Sequence, residues 1–115
     1  MIDFFIRLAA AAVLGGFLGL ERTIAGKMAG LRTYALVSLG SALFISVSEL
    51  VVARAGGATV VDPLRVASQV VLGIGFLGAG LIVFRESRVS GLTTAAGLWV
   101  AAGIGMTTGF GFYPL

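Results

Sequence analysis

Residues 16–33 read GFLGLERTIAGKMAGLRT, and an apolar run that starts near the N-terminus ends within them, at Leu20. Charged side chains then follow in quick succession, at Glu21, Arg22, Lys27 and Arg32. An abrupt change from apolar to basic residues is typical of a helix that leaves a bilayer and enters a loop. The stretch therefore predicts the end of one membrane span and the charged loop that follows it.

The composition also indicates a membrane protein. Of the 115 residues, 58% are hydrophobic and only 11% are charged, whereas a soluble domain averages about 25% charged residues. A small core could not hide so much apolar surface from water. The net charge is +3, but the basic residues lie in small groups between apolar runs. We therefore expect contact with the lipid bilayer and its anionic headgroups, and no nucleic-acid binding.

Catalytic chemistry is not predicted. The chain has no cysteine and no histidine, which excludes disulfides, thiol chemistry, Cys/His metal sites and the usual proton shuttle. No spacing suggests a Ser or Thr activated by a neighbouring acid or base. We expect no enzyme activity, no cofactor and no resident metal, although Mg²⁺ tolerates one or two carboxylates plus waters.

Four apolar runs are long enough to cross a bilayer, which takes about 20 helical residues. They are Phe4–Leu20, Tyr34–Ala53, Val66–Phe84 and Leu92–Tyr113. We expect Arg7 to reach the headgroups from the first span. Asp62 and Pro63 are typical of the start of a helix, and Ser90 is expected to cap the last one. The sequence thus predicts an all-α membrane protein with four transmembrane helices in a single domain, residues 1–115.

The loops differ in charge. Loops 22–33 and 85–91 share one face and hold Arg22, Lys27, Arg32, Arg85 and Arg88, while the other face has Arg7, Arg54 and Arg65. This bias predicts that the first face is cytoplasmic and that both termini lie outside. Because the bias is modest, dual topology stays open.

The two helix pairs resemble each other. Three matches recur in the same order: Arg7–Gly15 with Arg65–Gly73, Gly16–Gly19 with Gly75–Gly78, and the Gly-Leu-x-Thr elements that start at Gly30 and Gly91. Because each unit has two spans, the chain returns to the same side of the membrane after each unit, and both units insert in the same direction. Their symmetry axis therefore lies along the membrane normal. We predict two parallel two-helix repeats, with chance similarity among Gly/Ala/Leu-rich helices as the alternative.

Small residues recur at four-residue spacing on three spans and predict close helix packing. They are Ala11, Gly15 and Gly19; Gly75 and Ala79; and Gly97, Ala101, Gly105 and Gly109.

Polar residues also lie inside the predicted spans. The second span carries a stripe of Tyr34, Ser38, Ser41, Ser48 and Glu49. Glu49 is expected either to pair with Arg54 or Arg65 at the interface, or to line a polar crevice between the repeats. Gln69 of the third span is expected to hydrogen-bond to a neighbouring helix, with a substrate contact as the alternative.

Three segments together resemble the membrane domain of the MgtC/SapB family. They are LGLERTIAGKMAGLRTYALVSLGSALF (Leu18–Phe44), DPLRVASQVVLGIGFLGAGLI (Asp62–Ile82) and RVSGLTTAAGLWVAAGIG (Arg88–Gly105). The resemblance implies a bacterial inner-membrane protein linked to growth at low magnesium and to survival inside host cells. For some members it implies restraint of the F-type ATP synthase rather than ion transport.

The resemblance also implies which residues matter. They are Glu21, Arg22, Gly30, Arg32 and Thr33 in the first loop; Asp62, Arg65, Gln69, Gly75, Gly78 and Gly80; and Gly91, Thr93 and Thr94. This chain has Ser90 where the family commonly has arginine, with Arg88 two residues earlier. The fifth helix and the soluble C-terminal domain of many relatives do not follow in this sequence.

Two hypotheses of function follow. The first is a non-enzymatic inner-membrane protein that acts by helix contacts with a membrane complex such as the F-type ATP synthase. The alternative is a small ion channel or proton-coupled transporter. A homodimer fits either hypothesis.

Overall fold

The computed structural model describes residues 2–26, 29–56, 62–85 and 88–112, and it is all-α apart from one short hairpin. The helices are α1 (Ile2–Ile24), α2 (Leu31–Ala55), α3 (Pro63–Leu81) and α4 (Leu92–Gly109). Between α3 and α4, strands β1 (Val83–Arg85) and β2 (Arg88–Ser90) pair in antiparallel register. The four helices that the sequence predicts are therefore present.

The helix ends differ from the predicted ones. α1 and α2 extend beyond the predicted spans at both ends, and α3 starts earlier, at Pro63. α3 also ends at Leu81, before the predicted Phe84, because a hairpin rich in β-branched and aromatic residues replaces its last turn. α4 ends at Gly109, shortly before Gly111 takes a positive φ of 83°. Its predicted last residue, Tyr113, lies outside the described residues.

One predicted helix cap is confirmed and the other is wrong. Asp62 caps α3, because its Oδ1 accepts the backbone N–H of Leu64 at 3.0 Å and Pro63 follows at the first helical position. Ser90 lies in β2, and Gly91 takes the cap position of α4 with a φ of 87°. A side chain at Gly91 would collide with the carbonyl group of Leu81, so the close approach of the two segments requires glycine.

The helices surround a central pair. α2 and α4 pack against each other, α1 packs against both of them, and α3 packs mainly against α4 with less contact to α2. Arg22 near the end of α1 meets Thr94 near the start of α4, whereas Arg7 meets Gly109 at the opposite ends. α1 and α4 therefore run antiparallel and cover the same depth.

Small residues make the close contacts of α1 and α4, as the sequence predicts. On α1, Ala11, Gly15 and Gly19 are buried, and a Cβ at Gly19 would lie 2.7 Å from the carbonyl oxygen of Gly30. On α4, a Cβ at Gly109 would lie 3.0 Å from the Cα of Ala42. Glycine here allows the backbones of neighbouring helices to touch.

The small residues of α3 are used differently from the prediction. Gly78 is the buried residue of α3 and faces Ala95, where a Cβ would meet the Cβ of Ala95 at 3.3 Å. Gly75 has no atom within 4 Å of such a Cβ. The packing predicted at Gly75 and Ala79 is not made with another described helix, because Gly78 makes the close contact with α4 and Gly75 and Ala79 line an open groove beside it.

Among the described residues, three helices are long and apolar enough to cross a membrane, namely α1, α2 and α3. Their most apolar windows have mean hydropathies of 1.7, 2.0 and 1.6. α4 has 18 residues with threonines in its first and last turns, and Leu98, Ala101 and Ala102 within it are buried. α4 thus has a buried side that faces the other helices, while Trp99 and Val100 on it are more than half exposed.

Candidate functional site

A polar cluster joins α1, α2 and α4 at the end where α1 stops. The guanidinium of Arg22 donates to the Thr94 hydroxyl at 2.6 Å. The Tyr34 hydroxyl donates to the carbonyl oxygen of the same threonine at 3.2 Å, and Tyr34 and Thr94 are both buried. Thr23 accepts the Leu31 N–H at 2.7 Å and so supplies the partner that the start of α2 needs. This end of the bundle is therefore fixed by side-chain contacts between three helices.

A second cluster joins the same helices at the opposite end. Arg7 donates to the Glu49 carboxylate at 2.7 Å and to the carbonyl oxygen of Gly109 at 2.7 Å. Its Nε also lies 2.9 Å from the Asp3 carboxylate, one turn earlier on α1. The side chain of Arg7 is 22% exposed and that of Glu49 is 35% exposed. One arginine thus neutralises part of two carboxylates and satisfies a free carbonyl at the end of α4.

A pocket of about 250 Å³ adjoins this second cluster. Asp3, Arg7, Ser46 and Glu49 supply its polar lining. The charges of the cluster sum to one negative charge when both carboxylates are ionised. Within the described residues, no three His, Cys, Asp or Glu side chains come together as a metal site.

Between the two clusters, the contact of α2 and α4 contains hydroxyl groups. Ser41 and Ser48 donate to carbonyl oxygens of their own helix, at Val37 and Ile45. Ser46 donates across to the Gly109 carbonyl at 3.2 Å. The Ser38 hydroxyl is buried with no hydrogen-bond partner among the described residues. Most of these hydroxyls satisfy helix carbonyls, so the predicted stripe on α2 lies at a packed interface.

The structure places the predicted ionisable residues in new pairs. Glu49 binds Arg7 rather than Arg54 or Arg65, so the expected pairing at the interface is wrong. The Arg7 side chain points toward Glu49 and the Gly109 carbonyl, which both lie within its reach. Of the first-loop residues, Arg22 crosses to Thr94, while Glu21, Arg32 and Thr33 are exposed. Neither Glu21 nor Arg32 forms an ion pair within the described part of the chain.

The predicted residues of the third and fourth helices divide into two groups. Gly78, Gly91 and Thr94 make close contacts, as described above. Exposed positions on these helices are Asp62, Arg65, Gln69, Gly75, Gly80 and Thr93. Gln69 has no hydrogen bond among the described residues, so the expected bond to a neighbouring helix is not formed. The reason is that α3 touches α2 only lightly and turns Gln69 to the outside.

Sequence reasoning missed three contributors to the clusters. Ser46, Thr23 and the carbonyl of Gly109 all accept or donate hydrogen bonds there. The threonine had a usable signal, since it lies where α1 ends and a loop must supply partners to the next helix. Neither the serine nor the carbonyl had one, because both contacts depend on how α2 and α4 cross.

Comparison with known proteins gives a consistent result. A family model described as the MgtC family matches residues 8–115. The "Putative magnesium transporter YhiD" of Escherichia coli (strain K12) is 50% identical over 115 residues, which cover 98% of this chain and 54% of YhiD. "Protein MgtC" of Brucella abortus (strain 2308) is 48% identical over 89 residues, which cover 77% of this chain and 35% of that protein. No solved structure matches the chain.

A further relative is "Protein MgtC" of Salmonella typhimurium (strain LT2), which is 46% identical over 96 residues. The match covers 84% of this chain and 38% of that protein. The chain therefore spans about half of YhiD's length and little more than a third of the MgtC proteins'.

Proposed function

Because the chain belongs to the MgtC family, we propose that it is a multi-pass protein of the bacterial inner membrane that acts by helix contacts with a larger membrane complex. Its role on this proposal is adaptation to low magnesium, which the family resemblance implies and with which the name of one relative, "Putative magnesium transporter YhiD", agrees. The family resemblance makes the F-type ATP synthase the first complex to test. The chain itself performs no catalysis on this proposal.

One observation carries the proposal, namely that the centre of the bundle is filled. The Cβ position of Gly105 is occupied by the backbone carbonyl of Ser38, and that of Gly109 by Ala42 and Ile45. Because the helices are in such close contact, other molecules can bind to the outer sides of the bundle but not between α2 and α4. A protein of this kind acts on what lies beside it in the bilayer.

The groove between α3 and α4 is the surface we assign to that contact. Its volume is about 260 Å³, and its lining includes Gly75, Ala79, Ala96 and Trp99. Trp99 is 58% exposed at the edge of the groove. Small residues let another helix approach closely, and an indole beside them adds packing area. A transmembrane helix of the complex is the occupant that this lining suits.

The two helix pairs form parallel repeats on this proposal, and α4 crosses the membrane with the other helices. Equivalent contacts support the repeat. Gly19 of α1 packs against Tyr34, and Gly78 of α3 packs against Ala95, which occupies the matching position after Gly91. The shared depth of α1 and α4 supports the fourth crossing.

The side of the membrane is tested by cysteine labelling, because the chain has no cysteine of its own. We expect Thr23→Cys and Ser90→Cys to react from the cytoplasm and Gly57→Cys to react from outside. Labelling of Thr23→Cys and Ser90→Cys from opposite sides of intact cells would contradict the proposed topology.

The contact with a larger complex is tested by purification of the tagged protein from membranes in mild detergent. We expect ATP synthase subunits to copurify, and Ala96→Leu to remove them by filling the α3–α4 groove. Ala9→Leu is the matched control, because Ala9 is exposed on α1, away from that groove. Recovery of the protein alone, together with unchanged ATP synthase activity on deletion, would contradict the proposal.

Transport of an ion is the second candidate, and the pocket beside Arg7 favours it. Asp3 and Glu49 offer carboxylates there, and one relative carries the name of a putative magnesium transporter. The test is ion flux into liposomes that contain the purified protein. Flux that Glu49→Gln abolishes and Glu21→Gln leaves intact would replace the first proposal with this one, since Glu21 is exposed at the other end of the bundle.

A further inference from the structure

On the outer side of α3 there is a surface that no other described residue covers. We infer that a second copy of this chain binds there and that the two α3 helices meet at a two-fold axis along the membrane normal. The surface consists of Gln69, Gly73, Phe76 and Gly80 together with the groove between α2 and α3. It lies on the flank of α3 away from the groove assigned to a larger complex, and the inference does not depend on that complex.

The amide of Gln69 is the first reason to expect a partner. Gln69 lies about 9 Å further along α3 than Pro63, at the usual helical rise, and its side chain is exposed. An amide at this depth faces hydrocarbon, which cannot hydrogen-bond to it. Side chains of this type commonly bond to a side chain of another helix.

The groove supplies room for that helix. Its volume is about 580 Å³, and Gly40 of α2 and Gly73 of α3 contribute to its walls. Neither glycine would have an atom within 4 Å of an added Cβ, and the same holds for Gly80. A neighbouring helix can therefore come close to the backbone on this side of α3.

The same face also carries the side chain that could fill such a groove. Phe76 is 81% exposed and Leu72 is 69% exposed. Phe76 lies two turns beyond Gln69 on nearly the same side of the helix, at the level between Gly73 and Gly80. Along one stripe of α3, the open positions Gly73 and Gly80 thus lie about one turn before and one turn after the bulky Phe76.

This arrangement selects a second copy as the occupant. Copies of one chain insert in the same direction, so a two-fold axis along the membrane normal brings each residue opposite its own counterpart at equal depth. The amide of Gln69 is both donor and acceptor and can therefore pair with itself. Phe76 of each copy then lies beside the axis, with Gly73 and Gly80 of the other copy about one turn above and below it, which is the reciprocal contact that a two-fold interface requires. An unrelated helix would have to match both features by its own sequence.

Cross-linking in native membranes tests the contact. In this cysteine-free chain, Gly73→Cys introduces a single thiol beside the proposed axis and leaves Gln69 in place. We expect oxidation to give a disulfide-linked dimer of Gly73→Cys and no dimer of Phe17→Cys, which labels the exposed side of α1. Absence of the dimer in folded, membrane-inserted Gly73→Cys would overturn the inference, and so would a cross-link to another protein.

The role of the side chains is tested by dimer formation in phosphatidylethanolamine–phosphatidylglycerol vesicles, followed by energy transfer between labelled copies. Loss of the amide in Gln69→Leu is expected to weaken dimerisation about 3- to 30-fold, the range for one polar contact between helices in a membrane. Phe76→Ala should also weaken it, whereas Phe17→Ala should not, since Phe17 is similarly exposed but lies on α1. Equal energy transfer in all three variants, with circular dichroism unchanged, would overturn the inference.

These outcomes are separable from those for the larger complex. Ala96→Leu is expected to lose the complex and keep the dimer, while Gln69→Leu is expected to lose the dimer. Failure of the purification experiment therefore leaves the dimer standing, and failure of the cross-link leaves the proposed complex standing.

Discussion

Gly15 of α1 and Gly73 of α3 occupy the same place in the two similar segments, yet their surroundings are opposite. A Cβ at Gly15 would collide with Ser38 and would lie 2.8 Å from the Tyr34 carbonyl oxygen, while a Cβ at Gly73 would have no neighbour within 4 Å. The difference follows from position in the bundle, since α1 packs against both α2 and α4, whereas α3 packs mainly against α4.

The contrast shows what a pattern of small residues specifies in a membrane helix. It permits close approach of another backbone, but it does not determine whether the partner comes from the same chain. In α1 the partner is α2, and in α3 one glycine, Gly78, faces α4 while Gly73, Gly75 and Gly80 stay open. The open positions are the ones from which contacts with other molecules can be built.

The largest effect is expected at the most crowded glycine of α4. In Gly105→Ala, the new methyl group would collide with the Ser38 carbonyl and lie 2.8 Å from the Ser41 Cβ, so α2 and α4 must move apart. We expect a loss of about 3 kcal/mol or more in the free energy of unfolding, at the upper end of the range for overpacking. Unfolding by sodium dodecyl sulfate in mixed micelles, followed by circular dichroism, measures it.

Gly103→Ala is the matched control on the same helix, because a Cβ at Gly103 meets nothing within 4 Å. Its unfolding free energy should stay unchanged or rise by up to about 1 kcal/mol, because alanine has a better helix propensity than glycine. Equal losses in both variants would mean that α2 and α4 do not pack as described.

A smaller effect is expected when Arg7 is replaced by methionine. The change leaves Glu49 without its partner and removes the shorter of the two hydrogen bonds to the Gly109 carbonyl, which keeps Ser46 as a donor. Because both side chains are partly exposed, at 22% and 35%, we expect a loss of about 2 kcal/mol rather than the larger cost of a fully buried pair. A double-mutant cycle with Glu49→Gln, read by the same unfolding assay, gives the coupling, and zero coupling would show that the pair is not formed.

The cluster at the other end of the bundle should contribute somewhat less. Thr94→Val removes the acceptor for Arg22, which donates to it at 2.6 Å, and leaves a charged donor half-buried. We expect a loss of about 1–2 kcal/mol, as for a hydrogen bond to a charged group. Thr93→Val is the control, since Thr93 is exposed one residue earlier. If the two variants unfold alike, the contact of Arg22 with Thr94 is refuted.

The smallest effect is expected for the start of α2. Thr23→Val removes the oxygen that accepts the Leu31 N–H at 2.7 Å. The loss of a capping hydrogen bond costs about 1 kcal/mol. Amide hydrogen exchange should show faster exchange at Leu31 and unchanged exchange in the middle of α2. Unchanged exchange at Leu31 would contradict the capping role.

Much of the fold could be predicted because its causes are local. Runs of apolar residues gave four helices, and Asp62 with Pro63 gave the start of α3. The pairing of Arg7 with Glu49 and Gly109 could not be predicted, since the three residues are distant in the sequence and meet only through the crossing of three helices. Strands β1 and β2 were missed because Val83 and Phe84 were assigned to the end of the third span and residues 85–91 to a loop.

In the candidate site too, single residues could be predicted from local sequence, but their contacts with distant residues could not. Thr94 was singled out by its motif, but its partner Arg22 depends on how α1 lies against α4. Gln69 was expected to face a neighbouring helix, and the light contact of α3 with α2 leaves it outside. In a bilayer the apolar side of a helix does not reveal which way it turns, because lipid and protein interior are alike in polarity.

The most direct test compares Gly15→Ala with Gly73→Ala in the same unfolding assay, under conditions where the protein is monomeric. We expect Gly15→Ala to lower the free energy of unfolding by about 1–3 kcal/mol through overpacking. Gly73→Ala should leave it unchanged or raise it by up to about 1 kcal/mol through better helix propensity. Equal losses in both variants would mean that α3 is packed on both sides, and the contrast between the two halves of the bundle would be wrong.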